Sequence, residues 1–180
     1  LPFCESLCSF CGCNTVITRD HGRERPYVDR VLAELRAYLM HAPAIAEQPF
    51  EQLHLGGGTP TFLSAGELTR LVEGIYQLLP RRTSGFEGSV EVDPRVTGTA
   101  HLETLRQLGF TRISLGVQDI DPDVQRLVNR VQPLALTERL CADARRLGYV
   151  SVNFDLIYGL PGQSPESAAT LAREVLRIRP

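Results

Sequence analysis

The sequence predicts an α/β fold whose parallel strands form part of a barrel, and three observations support this prediction. First, strand patterns alternate with helix patterns along the chain, as parallel strands joined by crossover helices do. Second, four predicted strands alternate apolar and polar side chains. Third, polar residues cluster near the carboxyl ends of these strands, the edge at which parallel α/β folds place their active sites.

The composition is that of one folded domain. The chain has 180 residues, of which 43% are hydrophobic and 22% are charged, so it can bury a core and wholesale disorder is excluded. A net charge of −2 gives no global basic field for nucleic acid or an anionic membrane. No apolar run approaches the ~18 residues of a membrane span, and no signal peptide is visible. Because the chain begins with Leu1 rather than methionine, we expect an N-terminal piece to be absent.

The first three predicted elements are a helix, a strand and a helix. An apolar stripe at helical spacing predicts a helix over residues 26–41. Residues 52–55 alternate as a strand does, and a glycine-rich turn follows at residues 56–60. The next helix covers residues 64–79, because a serine followed three residues later by a glutamate forms a capping box at its start.

The second half of the chain continues the same alternation. Strands are predicted at residues 89–93, 112–118 and 150–158, and helices at residues 101–108, 121–128 and 137–147. Gly109 and Gly148 follow two of these helices, as C′ residues commonly do. Ser164 followed by Pro165 indicates the start of a last helix.

Side-chain alternation favours a barrel over an open, doubly wound sheet. Parallel sheets are normally buried on both faces and have continuous apolar runs, whereas one face of every strand predicted here is polar. An antiparallel sheet with one wet face would also alternate, but predicted helices separate these strands. We therefore expect helices to cover the apolar outside and a large polar ligand to occupy the inside, where an ordinary (β/α)8 barrel holds branched apolar residues. The inward set is His54, Gly56, Ser89, Glu91, Asp93, Ser114, Gly116, Gln118, Ser151, Asn153 and Asp155.

Four of the five cysteines lie within ten residues, at Cys4, Cys8, Cys11 and Cys13, and Cys141 stands alone in a helical pattern that indicates a core position. An odd, clustered number argues against a disulfide framework. A structural zinc site usually combines two separated pairs, and no second pair or suitably spaced histidine is present. Thiolate is the usual ligand of iron–sulfur clusters, so the run favours such a cluster over zinc or a disulfide.

These motifs resemble those of the radical S-adenosylmethionine (SAM) superfamily. Cys4, Cys8 and Cys11, with Phe10 before the last of them, match its cluster motif Cys-x-x-x-Cys-x-aromatic-Cys. The Gly-Gly-Gly-Thr-Pro turn matches its second motif. Further stretches resemble one branch, the oxygen-independent coproporphyrinogen III oxidases or coproporphyrinogen dehydrogenases, and they are residues 2–4, 11–14, 55–61, 90–94, 116–119, 125–130 and 155–161.

The resemblance implies a partial (β/α)6 radical SAM barrel, truncated at both ends, with residues 1–180 as a fragment of the core domain. It implies that Cys4, Cys8 and Cys11 ligate a [4Fe–4S] cluster whose fourth iron is left open for SAM. The implied SAM contacts are Phe10, Gly57, Gly58, Thr59, Glu91, Gln118, Arg130 and Asp155. Other interpretations stay open for some of them: a loop-anchoring aromatic for Phe10, an interior polar network for the carboxylates and the glutamine, and a solvated charge for Arg130.

The implied reaction is the anaerobic conversion of coproporphyrinogen III to protoporphyrinogen IX in haem biosynthesis. In it, a 5′-deoxyadenosyl radical generated from SAM at the cluster starts the oxidative decarboxylation of two propionates to vinyl groups. The alternatives are a haem chaperone of the same subfamily and another radical SAM enzyme. The chaperones usually have an aromatic residue where Cys13 stands, and Cys13 is not expected to ligate the cluster. We also expect a cytoplasmic monomer, an electron donor such as flavodoxin or ferredoxin, no nucleic-acid or membrane partner, and no activity from this fragment alone.

Overall fold

The computed structural model describes all 180 residues, and its central element is a four-stranded parallel sheet. The strands in chain order are β1 (Phe3–Cys4), β2 (Val16–Ile17), β3 (Phe50–Leu55), β4 (Arg82–Val92), β5 (Phe110–Gln118) and β6 (Ser151–Leu156). The last four form the sheet in the order β3-β4-β5-β6, and β1 pairs with β2 in a separate parallel ladder.

Helices separate the strands of the sheet. They are α1 (Glu24–His41), α2 (Ala44–Glu47), α3 (Ala65–Leu78), α4 (Thr99–Gln107), α5 (Pro122–Leu127), α6 (Leu134–Arg146) and α7 (Pro165–Ile178). The side chain of Ser64 accepts a hydrogen bond from the backbone of Glu67, and the side chain of Ser164 accepts one from Ser167. The predicted starts of α3 and α7 are therefore confirmed as capped helix starts.

The strand order identifies the type of parallel sheet. Strands that neighbour each other in the sheet also follow each other in the chain. Since crossovers between parallel strands are right-handed, this order places the connecting helices on one face, as in a barrel. A doubly wound sheet reverses its strand order at one point, and no reversal occurs here. The prediction of a parallel, barrel-type α/β fold is confirmed.

The main hydrophobic core lies between the sheet and the helices α1, α3, α4 and α6. The sheet contributes Leu55, Val90, Val92, Ile113, Leu115, Val117 and Phe154, and the helices contribute Val28, Leu32, Leu68, Leu71, Val72, Leu102, Leu105, Leu140 and Ala144. Full burial of one such leucine or valine contributes about 1.5–3 kcal/mol. Cys141 lies in this core, as its helical pattern predicts.

The other face of the sheet is polar and open. The exposed residues of this face are His54 on β3 and both Asn153 and Asp155 on β6. The two strands between them contribute Ser89 and Ser114, which are partly exposed. The predicted alternation is therefore confirmed, with one exception. Leu156, predicted to face the core, is 42% exposed near the end of the edge strand β6.

Several boundaries differ from the sequence-based expectation. β4 begins at Arg82, seven residues before its predicted start, and its early half packs Phe86 against Phe50 and Tyr76. This half contains two glycines and several polar residues, so it lacks the alternation of apolar and polar side chains that predicts a strand. β1, β2 and α2 are missing from the prediction because each has two to four residues. None of the helices combines the length and apolar character that crossing a membrane requires.

Candidate functional site

The edge at the carboxyl ends of the strands holds a cavity of about 180 Å³. Every residue that the sequence motifs predict as a cluster ligand or a SAM contact lines this one cavity, although these residues come from distant parts of the chain. They are Cys4, Cys8, Phe10, Cys11, Gly57, Gly58, Thr59, Glu91, Gln118, Arg130 and Asp155. The structure thus brings together the residues that the motifs single out.

The loop that carries the cysteines is held against the segment after α5. The backbone nitrogen of Ser9 donates to the carbonyl of Val128 over 3.0 Å. The side-chain amide of Asn129 donates to the carbonyl of Leu7 over 2.7 Å. Asn129 has a φ of 53°, in the left-handed region that asparagine tolerates better than most residues. This conformation directs the amide at the loop.

Phe10 fixes the same loop by apolar contact. Its ring packs against a second, smaller hydrophobic cluster formed by Val124, Val128 and Leu160. The structure therefore shows the loop-anchoring contact that the sequence left open as an alternative. Phe10 also lines the cavity, so a contact with a bound ligand remains compatible with its anchoring position.

The three motif cysteines are reduced and face one hollow. All five cysteines of the chain are free, and Cys8 is only 8% exposed. No group of three or more histidine, cysteine, aspartate or glutamate side chains is arranged to hold a single metal ion. In a four-iron cluster the thiolates bind different irons, so they surround a hollow rather than meet at one point. This donor set fits a [4Fe–4S] cluster better than a zinc ion, which needs four converging ligands.

Thr59 contacts the first cysteine. The sulfur of Cys4 lies 3.4 Å from the hydroxyl of Thr59. Burial raises the pKa of the Cys4 thiol, and the hydrogen bond to Thr59 opposes part of that rise. Thr59 itself is buried, so its hydroxyl lies where the glycine-rich turn contacts the cysteine loop.

Cys13 lies at the exposed side of the cavity. It lines the same hollow as Cys11, and hydrogen bonding to Cys11 is the main cause that raises the pKa of the Cys13 thiol. Its side chain is exposed, unlike that of Cys8. The position leaves Cys13 available to a ligand that enters the cavity from solvent.

The glycine-rich turn is packed against the beginning of the chain. The backbone nitrogen of Leu1 donates to the carbonyl of Gly56, and the backbone nitrogen of Gly58 donates to the carbonyl of Leu1. This pair of bonds has the pattern of neighbouring parallel strands. A Cβ atom on Gly57 would lie 2.7 Å from the carbonyl oxygen of Leu1, and one on Gly58 would lie 2.8 Å from the backbone of Pro2. Close backbone packing therefore requires both glycines, whether or not a ligand also approaches them.

Glu91 on β4 is bonded to the turn and to a histidine. One carboxylate oxygen accepts a hydrogen bond from the backbone of Gly57 at 3.3 Å, and the other lies 3.4 Å from Nε2 of His54. The opposite ring nitrogen of His54 lies 2.8 Å from the hydroxyl of Ser89. His54 thus connects the inner faces of β3 and β4, as its inward position in the sequence indicates.

Asp155 on β6 belongs to a second polar group. The hydroxyl of Ser114 donates to one carboxylate oxygen over 2.7 Å, and the side-chain amide of Asn153 donates to the other over 2.8 Å. Two donors hold this carboxylate in place while it lines the cavity. The interior polar network that the sequence left open is therefore present, and Asp155 is both a member of it and a lining residue of the cavity.

Gln118 ends β5 in an unusual backbone conformation. Its φ is 65°, and the pairing of β5 with β6 shifts register at this point. A residue other than glycine in the left-handed region costs about 1–3 kcal/mol, and such residues concentrate at functional sites. The backbone of Ile157 donates to the carbonyl of Gln118 and holds this turn. The bulge therefore places the Gln118 side chain at the wall of the cavity.

Arg130 and Arg95 meet at the buried sulfur of Cys8. A terminal nitrogen of each guanidinium group lies 3.6 Å from that sulfur. The carboxylate of Asp93 accepts hydrogen bonds from both arginines, over 2.6 Å from Arg95 and 3.1 Å from Arg130. Burial alone would raise the pKa of Asp93, but Arg95 and then Arg130 hold it below its usual value. The second terminal nitrogen of Arg130 donates to the carbonyl of Gly116 over 2.6 Å.

The arginine network is what the sequence reasoning missed. The sequence places Asp93 on the inner face of a strand and within the matching stretch 90–94, without a role in the site, and it does not single out Arg95. Both side chains line the cavity. The signal in the sequence is the position of Arg95 three residues after the end of β4, at the functional edge of the sheet. If Arg130 held a ligand carboxylate through both terminal nitrogens, its present bonds to Asp93 and Gly116 would have to break.

Known proteins similar in sequence to this chain belong to the family that its cysteine motif indicates. The family model described as the radical SAM superfamily matches residues 1–175. Oxygen-independent coproporphyrinogen III oxidase from Pseudomonas aeruginosa is 46% identical over 182 residues, covering 100% of this chain and 39% of that protein. The protein of the same name from Escherichia coli is 42% identical, with 38% of its length covered. The chain therefore spans about two fifths of the length of these curated relatives.

Solved structures show the same relationship. Coproporphyrinogen III oxidase from Escherichia coli, described as a radical SAM enzyme, superimposes with a TM-score of 0.93 at 42% identity, covering 100% of this chain and 41% of that one. The radical SAM methyltransferase TsrM from Kitasatospora setae, solved with cobalamin and a [4Fe–4S] cluster, gives a TM-score of 0.65 at 17% identity, over 99% of this chain and 34% of that one. The second likeness extends to the fold alone.

The chain belongs to the radical SAM superfamily. The match to the family model over residues 1–175, the parallel α/β fold and the cysteine motif at the edge of the sheet all support this assignment. Within the superfamily, it resembles the oxygen-independent coproporphyrinogen III oxidases along its whole length. The superfamily expected from the sequence motifs is confirmed, and so is the expected resemblance to this branch.

Proposed function

We propose that this chain forms the cofactor-binding part of an enzyme that oxidatively decarboxylates coproporphyrinogen III without molecular oxygen. One observation carries the proposal: the residues that match the cluster and SAM motifs all line a single cavity. The similarity to curated relatives of that name supports the choice of substrate. Because the chain covers only part of those relatives, the activity is assigned to the protein in its longest natural form.

Cys4, Cys8 and Cys11 are the proposed ligands of a [4Fe–4S] cluster, with SAM at the open iron. Together these groups supply a hydrogen-abstracting organic radical when they are bound. The chain itself contributes the three thiols, the buried position of Cys8 and the bonds that hold the cysteine loop.

Most of the proposed SAM contacts lie at the ends of strands β3 to β6, whereas Phe10 lies in the cysteine loop and Arg130 follows α5. Glu91 and Asp155 present carboxylates suited to hydroxyl groups of a ribose, as carboxylates do in dinucleotide sites. Gln118 supplies an amide from the bulge that ends β5, and Thr59 supplies a hydroxyl beside Cys4. Gly57 and Gly58 offer backbone groups, Phe10 an apolar surface and Arg130 a guanidinium group at the same cavity.

The proposed reaction removes a hydrogen atom, CO2 and one electron from each of two propionate side chains and leaves two vinyl groups. The product is protoporphyrinogen IX. An electron donor such as flavodoxin or ferredoxin is proposed to reduce the cluster, and the protein is proposed to act as a monomer in the cytoplasm. The polar inner face of the sheet, rather than a packed apolar interior, leaves space for these large ligands.

A haem chaperone of the same subfamily is the second candidate function. It would have the same fold and keep a cluster, but it would bind haem instead of oxidising a porphyrinogen. Cys13 favours the oxidase, because the chaperones usually have an aromatic residue there. The thiol of Cys13 is exposed beside Cys11 at the cavity, where it can contact an entering substrate, and this position also favours the oxidase.

The deciding experiment is mass spectrometry of an anaerobic reaction. The protein in its longest natural form is reconstituted with iron and sulfide and incubated with SAM, a reductant and coproporphyrinogen III. Loss of two CO2 units from the tetrapyrrole supports the proposed function, and the Cys8→Ala variant serves as the inactive control. An unchanged tetrapyrrole with an intact cluster and stoichiometric haem binding would assign the chaperone function instead.

A further inference from the structure

The three proposed cluster ligands have unequal surroundings. The sulfur of Cys8 lies 3.6 Å from nitrogens of both Arg95 and Arg130. The sulfur of Cys4 contacts only the neutral hydroxyl of Thr59. No arginine nitrogen is bonded to Cys4 or Cys11 among the hydrogen bonds of the chain. Positive charge is therefore directed at one sulfur of the three.

Asp93 makes this arrangement possible. Two guanidinium groups near one another would repel, and the Asp93 carboxylate between them offsets that repulsion through bonds to both. Its other oxygen accepts from the backbone and side chain of Arg95. Asp93 and Arg130 are 8% and 7% exposed, so solvent screens these charges little. The three side chains together carry a net charge of one positive unit.

Gly116 provides the room that Arg130 needs. A Cβ atom on this glycine would lie 2.9 Å from a terminal nitrogen of Arg130. That nitrogen instead donates to the carbonyl of Gly116, which fixes the guanidinium plane beside the Cys8 sulfur. The geometry is thus built by β4 and β5 and does not depend on a flexible surface side chain.

We infer that Arg95, oriented by Asp93, is a positioning residue that works with Arg130 to raise the reduction potential of the cluster through the sulfur of Cys8. This inference rests on the proposed function. A cluster gains negative charge on reduction, so donors to its sulfur ligands and nearby positive charge favour the reduced form. The effect concerns electron transfer into the cluster, and Arg95 itself need not touch SAM or substrate.

The test is an EPR-monitored redox titration of the reconstituted cluster in the longest natural form of the protein, with iron and sulfide analysis of each variant. Arg95→Gln removes the charge. At a fixed potential we expect its ratio of reduced to oxidised cluster to fall about threefold to tenfold, tenfold being about 59 mV for one electron. Arg126→Gln on the exposed surface of α5 removes the same charge at a distance and should leave the ratio unchanged.

Asp93→Asn gives a prediction of opposite sign. It removes the negative charge and keeps a side-chain oxygen that can accept from Arg95, so the reduced-to-oxidised ratio should rise. A purely structural role does not predict opposite shifts for the two variants. An unchanged potential in Arg95→Gln at normal iron content overturns the inference. If Arg95→Gln assembles no cluster, an unchanged or lower potential in Asp93→Asn overturns it. Failure of the proposed function is distinguishable, because coproporphyrinogen III would then stay unchanged in the anaerobic reaction of the unsubstituted protein, whereas the redox shifts are measured on the cluster itself.

Discussion

The side-chain amide of Asn129 donates to the carbonyl of Leu7 over 2.7 Å, and these two residues lie 122 positions apart in the chain. This bond joins the cysteine loop to the segment after α5 that also carries Arg130. The backbone bond from Ser9 to Val128 supports the same junction. The position of Cys8 relative to the arginines therefore depends on contacts that lie outside the cysteine motif itself.

Asn129→Asp is expected to loosen this junction. Aspartate tolerates the left-handed backbone of this position almost as well as asparagine does, but it presents an acceptor to the Leu7 carbonyl. The free energy of unfolding should fall by about 0.5–1.5 kcal/mol, the usual value of one hydrogen bond. Denaturant unfolding measures this change, and the loss of iron to a chelator should be faster. Equal stability and equal iron loss in the variant and the parent would show that the bond does not hold the loop.

The ligand assignment predicts a division among the five cysteines. Replacement of Cys4, Cys8 or Cys11 by alanine should abolish the cluster, because each is proposed to bind a separate iron. Cys141→Ala is the matched control, since that thiol is buried in the core and does not line the cavity. Cys13→Ala should also retain iron. Iron and acid-labile sulfide per protein, with the visible absorption spectrum, measure the outcome, and normal iron content in Cys8→Ala would refute the assignment.

The sequence predicts the sheet and its two faces well because alternation depends on local residue order. The polar inner face, the capped starts of α3 and α7 and the gathering of motif residues at one edge all follow from this order. The early half of β4 does not, because its stability comes from packing of Phe86 against Phe50 and Tyr76, which are distant in the chain.

The missing parts of the site depend on tertiary contacts in the same way. Gln118 and Asn129 adopt left-handed backbones without being glycine. Glutamine gives no sign of such a turn, and asparagine gives only a weak one, because it occurs in many other conformations as well. Arg95 looks like an ordinary charged residue until the fold brings it to the sulfur of Cys8, 87 positions away. Its position after the end of a strand is the one local feature that links Arg95 to the site, since it belongs to no motif.

The start of α4 is expected to make stability depend on pH. The backbone nitrogen of Gly98 donates to Nδ1 of His101 over 3.1 Å, and this bond requires the neutral ring. Burial lowers the pKa of His101 in the folded protein, so the unfolded chain binds more protons just below its ordinary pKa of about 6.5. The contribution of neutral His101 to the free energy of unfolding is therefore complete above about pH 6.5. It decreases as the pH falls toward the pKa of His101 in the folded protein.

The His101→Asn variant tests this pH dependence. Its side-chain oxygen can still accept from Gly98, but it does not titrate. Urea unfolding between about pH 5 and 8 should show a steeper loss of stability toward low pH in the parent than in the variant. The remaining histidines are common to both proteins and cancel in the comparison. Identical pH profiles of stability in the parent and the variant would show that folding does not favour the neutral form of His101.

The glycine-rich turn provides the last prediction, in which two Gly→Ala replacements have opposite effects. Gly57 has a φ of 115°, and an added Cβ would lie 2.7 Å from the carbonyl oxygen of Leu1, a backbone atom that cannot rotate away. Gly57→Ala should therefore lower the free energy of unfolding by about 1–3 kcal/mol and displace the turn from Glu91. Gly66 lies on α3 with nothing within 4 Å of an added Cβ, so Gly66→Ala should raise that free energy by up to about 1 kcal/mol. Urea unfolding of both variants measures the difference, and a Gly57→Ala protein as stable as the parent would mean that the turn does not need its close contact with the beginning of the chain.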